Sequence, residues 1–482
     1  MLGRIKDKYV SLGAPIRASL WFTVCSFVQK GISFITVPIF TRLMSPEQYG
    51  MYSLYLSWDS VIIVFATLNL SYQVFNNGLI KYEDDRDGYT TSMLGLSNVC
   101  TTVLLVLYLL AHKWVNVTTG LTTPLFLLMF AQYYFNQALA LWTVKERFFY
   151  RYRALTAITL ASAVASSAIG VVAVVFAEDK VLARVASVAA VSIIVGAGIY
   201  VHLLKRSRCL VKLEYWRYVL RLNLPLIPHY LSMTALNSSD RILISMICGD
   251  SYTAFYSVSY NVAAVLNLLT SSINSSYIPW FYQKMANKES NAISQVSTVL
   301  LGMVGACSLL PALFGPEIIL FLGSEAYMEG VWVMPAVSAG VYFTFLYSLF
   351  SNYELFYEES RLIMVASLSA AVLNIVLNVL LLPVFGFVAA GYTTLACYIA
   401  LSVFHYLGAR SISRAKGDGE LPFNMRTIIV TSLALLLLSV GLTFTYYCTV
   451  ARYVLLTCLL IAMMLKRETL IGSLKEMKGD SR

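Results

Sequence analysis

The chain is 482 residues long, and 58% of these residues are hydrophobic while only 12% are charged, which is about half the charged share of a soluble protein. This composition excludes an ordinary soluble enzyme and indicates an integral membrane protein. The net charge of +10 does not point to nucleic acid, because the Lys and Arg residues form short clusters between apolar segments. The positive-inside rule predicts such clusters for cytoplasmic loops, so we expect no nucleic-acid partner.

Apolar segments of about 20 residues, long enough to cross a membrane as a helix, recur along the whole chain. We therefore predict an all-α integral membrane protein with about fourteen transmembrane helices. They cover residues 15–40, 50–74, 89–111, 119–143, 154–177, 182–204, 219–247, 253–281, 292–314, 329–352, 362–383, 386–408, 427–448 and 450–465. The N-terminal MLGRIKDKYV leads into an apolar segment that is too long for a signal peptide, so we expect this segment to remain as a helix.

The distribution of the 35 Lys and Arg residues predicts the orientation. Most of them fall on the cytoplasmic side when the N-terminus is placed in the cytoplasm. The strongest clusters lie at residues 145–153 and 205–221. An even number of helices returns the C-terminal tail, with Lys466, Arg467, Lys475 and Lys478, to the same side.

Two polar connections suggest how the chain is divided. One follows six helices, and the other, RSISRAKGDGELPF at residues 410–423, follows twelve. We predict a six-helix bundle at 1–210, a second six-helix bundle at 211–409, and a linker with two further helices and a cytoplasmic tail at 410–482. A weak internal match at an offset of 204 places residues 50–53 on residues 254–257. This match suggests a parallel repeat of a six-helix unit.

Four charged residues interrupt the predicted helices: Lys30, Asp59, Asp240 and Arg241. Each lies roughly 10–16 Å deep, near the middle of a hydrocarbon core about 30 Å thick. A charge at this depth costs roughly 2.5–3.5 kcal/mol on insertion scales, so it usually faces a bundle interior or a wet cavity. The four charges sum to zero, and structural ion pairs are therefore the alternative to a functional site. Asp240 and Arg241 point about 100° apart, so each is expected to find its partner on another helix, with Lys30 and Asp59 as candidates.

A polar stripe runs along the predicted eighth helix, and a shorter one lies on the eleventh. The stripes consist of Tyr256, Tyr260, Asn267, Ser271 and Asn274 on the first, and of Asn374 and Asn378 on the second. Aromatic faces beside amide groups suit a hydroxyl-rich ligand such as a carbohydrate. The alternative is that single Ser and Asn residues join helices through hydrogen bonds worth about 0.6–2 kcal/mol.

Motifs of ordinary catalysis are absent from the sequence: we find no Walker motif, GxSxG or HExxH. The eight cysteines are scattered singly, and the four histidines show no paired spacing. We therefore expect no enzyme activity, no cofactor and no metal site.

Four segments of the chain together resemble the polysaccharide transporters, the Wzx-type oligosaccharide flippases of the superfamily that includes multidrug extruders and lipid II flippases. The segments are FTRLMSPEQYGMYSL, NSSDRILISMICGDSYTAFYSVSY, SYIPWFYQK and NIVLNVLLLPVFGFVAAGYTT. The resemblance implies two six-helix bundles around a central cavity and alternating access. It also implies export of an undecaprenyl-pyrophosphate-linked oligosaccharide across the bacterial inner membrane, with membrane lipids, a glycan polymerase and a chain-length regulator as partners.

Combining the resemblance with the residues gives a hypothesis for the site. Lys30 and Arg241 would attract the pyrophosphate or acidic sugars, and Asp59 and Asp240 would couple transport to an ion. The glycan would contact the polar stripes, at Tyr256, Tyr260, Asn267, Asn274, Asn374 and Asn378. A multidrug or metabolite antiporter of the same superfamily is the main alternative, followed by a membrane glycan polymerase or ligase and by a structural scaffold.

Overall fold

The structure, a computed structural model, describes residues 13–416 and 419–477. The ten N-terminal residues and Lys478, both expected in the cytoplasm, lie outside the described residues. Within those ranges the protein consists of eighteen α-helices and three short 3₁₀ helices, and each of the fourteen predicted helices has a counterpart. The all-α prediction is therefore confirmed.

The first nine helices follow one another with short connections. Their bounds are α1 Ala14–Leu43, α2 Pro46–Thr67, α3 Gln73–Lys81, α4 Arg86–Thr119, α5 Thr123–Phe148, α6 Arg153–Phe176, α7 Lys180–Arg206, α8 Leu213–Asn223 and α9 Ile227–Ile247. The other nine are α10 Asp250–Ala286, α11 Ser290–Leu313, α12 Gly315–Leu322, α13 Met334–Phe356, α14 Ser360–Phe385, α15 Val388–Lys416, α16 Met425–Thr445, α17 Thr449–Leu465 and α18 Arg467–Met477.

Length and composition identify the membrane-crossing helices. Nine segments of the described chain are long and apolar enough to cross a membrane, and α17 is a shorter apolar helix. The counterparts of the other predicted spans, α2, α5, α9 and α10, contain 22, 26, 21 and 37 residues and carry more polar side chains. Large apolar side chains such as Leu110, Val117, Ile194 and Leu437 are exposed, as expected for surfaces that face lipid. The protein is a multi-pass membrane protein.

Most predicted bounds differ from the observed ones by a few residues, and two of the predicted helices are interrupted in the structure. The second was predicted to reach residue 74 but ends at Thr67, because Leu68 and Asn69 adopt φ angles of 49° and 51° that an α-helix does not allow. The seventh was predicted as one helix from residue 219. It is divided by a 3₁₀ turn at Leu224–Leu226, where Pro225 has no N–H to donate to a continuous helix.

The internal repeat agrees with the helix bounds. Helix α1 ends at Leu43 and α9 ends at Ile247, and α2 begins at Pro46 while α10 begins at Asp250. Each second position lies 204 residues after the first, the offset predicted from the sequence. A Ser45–Gln48 capping box begins α2, whereas Gly249, with a φ of 109°, separates α9 from α10.

The helices form two compact units, Met1–Thr234 and Ala235–Arg482. The boundary falls within α9, so the basic connection and α8 belong to the first unit. A core cluster of the first unit includes Phe75, Tyr89, Trp142 and Tyr215. The largest core cluster of the second unit is rich in aromatic side chains, among them Tyr277, Phe281, Tyr342, Phe350 and Tyr353.

Candidate functional site

Asp240 on α9 lies inside the second unit with only 2% of its surface exposed. Its Oδ2 accepts hydrogen bonds from the hydroxyls of Tyr256 at 2.5 Å and Thr394 at 2.7 Å. Its Oδ1 accepts one from Asn378 Nδ2 at 2.7 Å. These partners come from α10, α14 and α15, so three helices supply donors to one carboxylate. A buried carboxylate needs such compensation, because leaving it without partners would cost several kcal/mol.

A further set of polar side chains holds those donors in place. Asn378 Oδ1 accepts a hydrogen bond from Thr393 Oγ1 at 2.6 Å, and Asn374 Nδ2 donates to Thr394 Oγ1 at 3.1 Å. Asn374 Oδ1 accepts from Asn378 Nδ2 at 3.3 Å and lies 2.9 Å from Ser239 Oγ. The spacing of four residues between the two asparagines places both on one face of α14. The result is a cluster of side-chain oxygens around a single negative charge.

This arrangement can bind and release one positive charge. The hydrogen-bond partners of Asp240 among the described residues are all neutral, so the carboxylate is not neutralised by a direct ion pair. A proton or a small monovalent cation bound by these oxygens would cancel its charge.

Arg241 points in a different direction from Asp240, as predicted. Its Nε donates to Ser257 Oγ at 3.2 Å, and its Nη1 donates to the Asn237 carbonyl at 2.8 Å. The guanidinium lies 4.8 Å from the centre of the Tyr260 ring, within the range of a cation–π interaction. Asp240 and Arg241 therefore meet neutral partners within the second unit.

The other predicted site residues of the second unit fall into two groups. Tyr256, Asn374 and Asn378 are fully buried and serve the Asp240 network. Tyr260 and Asn267 are partly exposed and line a cavity with Thr394 and Tyr398.

Two of the predicted asparagines on α10 differ in their hydrogen bonding. Asn267 Oδ1 is buried with no hydrogen-bond partner among the described residues. Asn274 Oδ1 accepts a hydrogen bond from Asn352 Nδ2 at 3.0 Å. Asn267 therefore retains an acceptor that a ligand could use.

The two predicted charges of the first unit lie apart from any ion pair. Asp59 Oδ1 accepts a hydrogen bond from Tyr133 at 2.8 Å. Lys30 is exposed on α1, and no ion pair of the first unit within the described ranges includes either residue. At the repeat offset, Thr36 takes the place of Asp240, so the first unit has no carboxylate at that position.

Some polar residues at the site and in the cores were not predicted. Thr393 and Thr394 occur at the end of the segment NIVLNVLLLPVFGFVAAGYTT, and their position after Gly391-Tyr392 was the available signal. Arg184, 8% exposed, stacks on Phe40 with its guanidinium 3.9 Å from the ring centre.

A histidine that showed no paired spacing has a buried acidic partner. His405 Nδ1 lies 2.7 Å from Glu354 Oε2, and both side chains are buried. The two residues are 51 positions apart, a distance at which spacing along the sequence carries no information.

The chain matches a known protein family and a curated relative. The family model described as "Polysaccharide biosynthesis protein" matches residues 16–285, which is more than half of the chain. A curated relative, the Lsg locus putative protein 1 of Haemophilus influenzae, is 24% identical over 169 residues. That alignment covers 33% of this chain and spans 40% of the relative's length.

Solved structures share the fold at low sequence identity. The lipid II flippase MurJ in an inward closed conformation matches with a TM-score of 0.67 at 13% identity, covering 93% of this chain and 99% of that chain. A multidrug resistance MATE family transporter of the MOP superfamily matches with a TM-score of 0.57 in its inward-facing conformation, at 12% identity, over 81% of this chain and 96% of that chain. The chain has the fold of these transporters and belongs to the polysaccharide biosynthesis protein family.

Proposed function

We propose that the protein is a flippase that moves an undecaprenyl-pyrophosphate-linked oligosaccharide across the bacterial inner membrane by alternating access. The product would supply a surface polysaccharide such as O-antigen, capsule or exopolysaccharide. Two findings support this proposal: membership of the polysaccharide biosynthesis family and a fold shared with a lipid II flippase over 93% of the chain. We expect no enzyme activity, and we expect the glycan polymerase and chain-length regulator to act on the exported product.

The observation that carries the mechanism is the burial of Asp240 among neutral donors from three helices. Binding of a proton or a small cation at Asp240 would change the charge of the second unit by one. A ligand that favours one charge state shifts the conformational equilibrium only by its differential affinity. The coupling ion would therefore act by favouring one conformation of the α9, α10, α14 and α15 helices. Asp59 is the second predicted coupling carboxylate.

We propose that the substrate contacts those predicted residues whose polar atoms are exposed or have no hydrogen-bond partner among the described residues. Lys30 and Arg241 would attract the pyrophosphate, since both carry a positive charge that no carboxylate pairs with inside its own unit. Tyr260 and Asn267 would contact the sugars only when their cavity, which has a volume of about 10 Å³ and room for about one water molecule in this structure, widens during transport. Asn274 would contact the sugars after its hydrogen bond with Asn352 breaks.

Tyr256, Asn374 and Asn378, also predicted to contact the glycan, hold Asp240 in this conformation. Their polar atoms would become available to a substrate only if the network around Asp240 opened during transport. We therefore assign these three residues to the coupling network and keep their contact with the glycan as a prediction for another conformation.

The test is transport of a fluorescent lipid-linked oligosaccharide in vesicles at several pH values and sodium concentrations. Asp240→Asn keeps the shape of the side chain but cannot bind the coupling ion as a carboxylate does. We expect this variant to lose the dependence of the rate on pH or on sodium, whereas Asp84→Asn, at an exposed position, should retain it. An unchanged dependence in Asp240→Asn would refute the coupling role, and an absence of flipping by the unmodified protein would refute the flippase.

The multidrug antiporter remains the second candidate, because the MATE transporter structures share the fold over 81% and 84% of the chain. Deletion of the gene separates the two functions. Loss of surface polysaccharide without a change in drug sensitivity supports the flippase, and increased drug sensitivity with normal polysaccharide supports the antiporter.

A further inference from the structure

A polar cavity of about 870 Å³ lies in the second unit, far along the chain from Asp240, where the polar linker joins α15 to α16. Three arginines line it: Arg410 and Arg414 at the end of α15, and Arg426 at the start of α16. Its volume falls in the range of small-molecule sites, about 300–1,000 Å³. The distribution of charge along the sequence predicts that this end of the protein faces the cytoplasm.

The cavity has an excess of positive charge. Among the described residues of its lining, three arginines face one acidic residue, Glu420. None of the three takes part in the ion pairs found within residues 13–416 and 419–477. A guanidinium presents five N–H donors in a planar fork that matches phosphate oxygens. Three guanidinium groups around one cavity, none of them in an ion pair with a described residue, therefore favour a ligand that carries more than one phosphate charge.

The start of α11 adds donors to the same cavity. Ser290, Asn291 and Ser294, in the first turns of this 24-residue helix, line it, and no side chain caps the helix N-terminus. The backbone N–H groups of a first turn and the helix dipole both favour anions. Glu289, the residue before the helix, is paired with Lys284 and does not compete for these donors.

The part of the wall next to α16 is anchored in the core. Phe423 is 6% exposed and packs against Phe281 and Phe350, with ring centres 6.2 and 5.4 Å apart. The Asn424 side chain accepts a hydrogen bond from the Thr427 N–H at 3.0 Å and so caps α16. The linker therefore enters α16 in a defined position, and Arg426 follows directly from it. A site whose walls are ordered before binding loses less entropy when a ligand binds.

We propose that this cavity binds a phosphate-bearing anion at the cytoplasmic face, through Arg410, Arg414 and Arg426. The site is separate from the proposed coupling carboxylate and goes beyond the flippase function. The shared chemistry is a group with two or more negative charges, which either a soluble diphosphate or the headgroup of an anionic phospholipid can supply. If the arginines serve only to orient the chain in the membrane, the cavity binds no anion.

The test uses the full-length protein in nanodiscs and two variants that remove the same charge. Arg410→Gln/Arg426→Gln changes the cavity, and Arg206→Gln/Arg208→Gln changes exposed arginines of the first unit. In nanodiscs of phosphatidylcholine, calorimetry measures the binding of inorganic pyrophosphate. In nanodiscs that also contain phosphatidic acid, native mass spectrometry measures how much of this lipid the protein retains. Thermal unfolding without ligand verifies that both variants are folded.

Both arms have outcomes that decide the proposal. A loss of pyrophosphate affinity of about tenfold or more in the cavity variant, but not in the control, supports a soluble ligand. A selective loss of retained phosphatidic acid in the cavity variant supports a lipid headgroup. Equal binding by the two variants in both arms overturns the site. These measurements need no glycan transport, so the flippase proposal can fail without affecting them.

Discussion

Thr394 Oγ1 lies 2.7 Å from Asp240 Oδ2, although the two residues are 154 positions apart in the chain. The same threonine oxygen accepts a hydrogen bond from Asn374 Nδ2 at 3.1 Å. One hydroxyl therefore connects α9, α14 and α15, at a position where Asp240 and Thr394 are only 2% and 4% exposed. The network is expected to be sensitive to the loss of that single group.

Replacing Thr394 with Val should destabilise the protein by about 1–3 kcal/mol, because Asp240 loses a donor and Asn374 loses an acceptor while the side-chain shape is kept. Thr394→Ser, which retains the hydroxyl, should stay close to the unmodified protein. Thr344→Val is the matched control, since the Thr344 hydroxyl donates only to the Gly340 carbonyl of its own helix. Thermal unfolding in detergent measures the effect, and equal stabilities of the two valine variants would contradict the prediction.

The buried guanidinium of Arg184 depends on Gly170 on the neighbouring helix. A Cβ at Gly170 would lie 2.4 Å from Arg184 Nη1. The Nη1 donates to the Ser166 carbonyl at 3.2 Å, and the guanidinium stacks on Phe40. The arginine cannot move away without losing both interactions.

Gly170→Ala should therefore destabilise the first unit even though Ala is the better helix former. Gly198→Ala, at a helical glycine with no neighbouring atom within 4 Å, should instead stabilise it by about 0.5–1 kcal/mol. Adding Gly170→Ala to the Arg184→Ala variant should lower its stability less than adding it to the unmodified protein, because the clash with the Arg184 side chain is then absent. Thermal unfolding of the unmodified protein, Gly170→Ala, Gly198→Ala, Arg184→Ala and the double variant checks this, and stabilisation by Gly170→Ala would show that the close approach is wrong.

His405 and Glu354 form a buried pair with 1% and 0% of their side chains exposed. Glu354 Oε1 has no hydrogen-bond partner among the described residues, so the carboxylate relies on His405. Leaving a buried polar group without its hydrogen-bond partner costs about 1–3 kcal/mol, and we expect a loss of this size in His405→Leu. His202→Leu, at an exposed histidine, should have little effect.

The double variant Glu354→Gln/His405→Leu separates loss of the pair from loss of packing. We expect it to be more stable than His405→Leu alone, because an amide is cheaper to bury than a carboxylate. Apparent unfolding temperatures in one detergent provide the comparison. If the double variant is the less stable protein, burial of the glutamate charge is not the main cost.

The pKa of Glu289 predicts how the stability of the folded protein depends on pH. The hydrogen bond from Lys284, with a smaller contribution from Asn287, lowers the pKa of this carboxyl below its ordinary value. A depressed folded-state pKa contributes stability above the unfolded value, about 4.3, which is lost as the pH falls through the folded pKa. Glu289→Gln should therefore be slightly less stable than the unmodified protein at pH 7 and equal to it at pH values well below 4.3.

Unfolding temperatures across this pH range test the prediction. Glu325→Gln, at an exposed position, removes the same charge and serves as the control. A difference between Glu289→Gln and the unmodified protein that grows towards low pH would contradict the assigned sign.

The sequence by itself determined the membrane class, the helices and the repeat. Helix existence depends on local properties, since about 20 apolar residues cross a membrane wherever they occur. The 204-residue offset holds at two pairs of helix bounds, as expected of a duplicated unit that keeps its length. The two interrupted helices follow from local backbone chemistry at Leu68 and Pro225, which the predicted bounds did not take into account.

The tertiary structure decided which polar groups meet. Periodicity placed Asp240, Asn374 and Asn378 on helix faces, but it could not indicate that the asparagine pair faces the aspartate across 138 positions. Nor could it indicate that Tyr256 turns inward while Tyr260 lines a cavity. The partner of a buried polar group depends on the rotation and packing of whole helices against one another, and this information is spread over the chain. Hydrophobicity along the sequence therefore determines where the helices are, and packing alone determines what their polar residues bind.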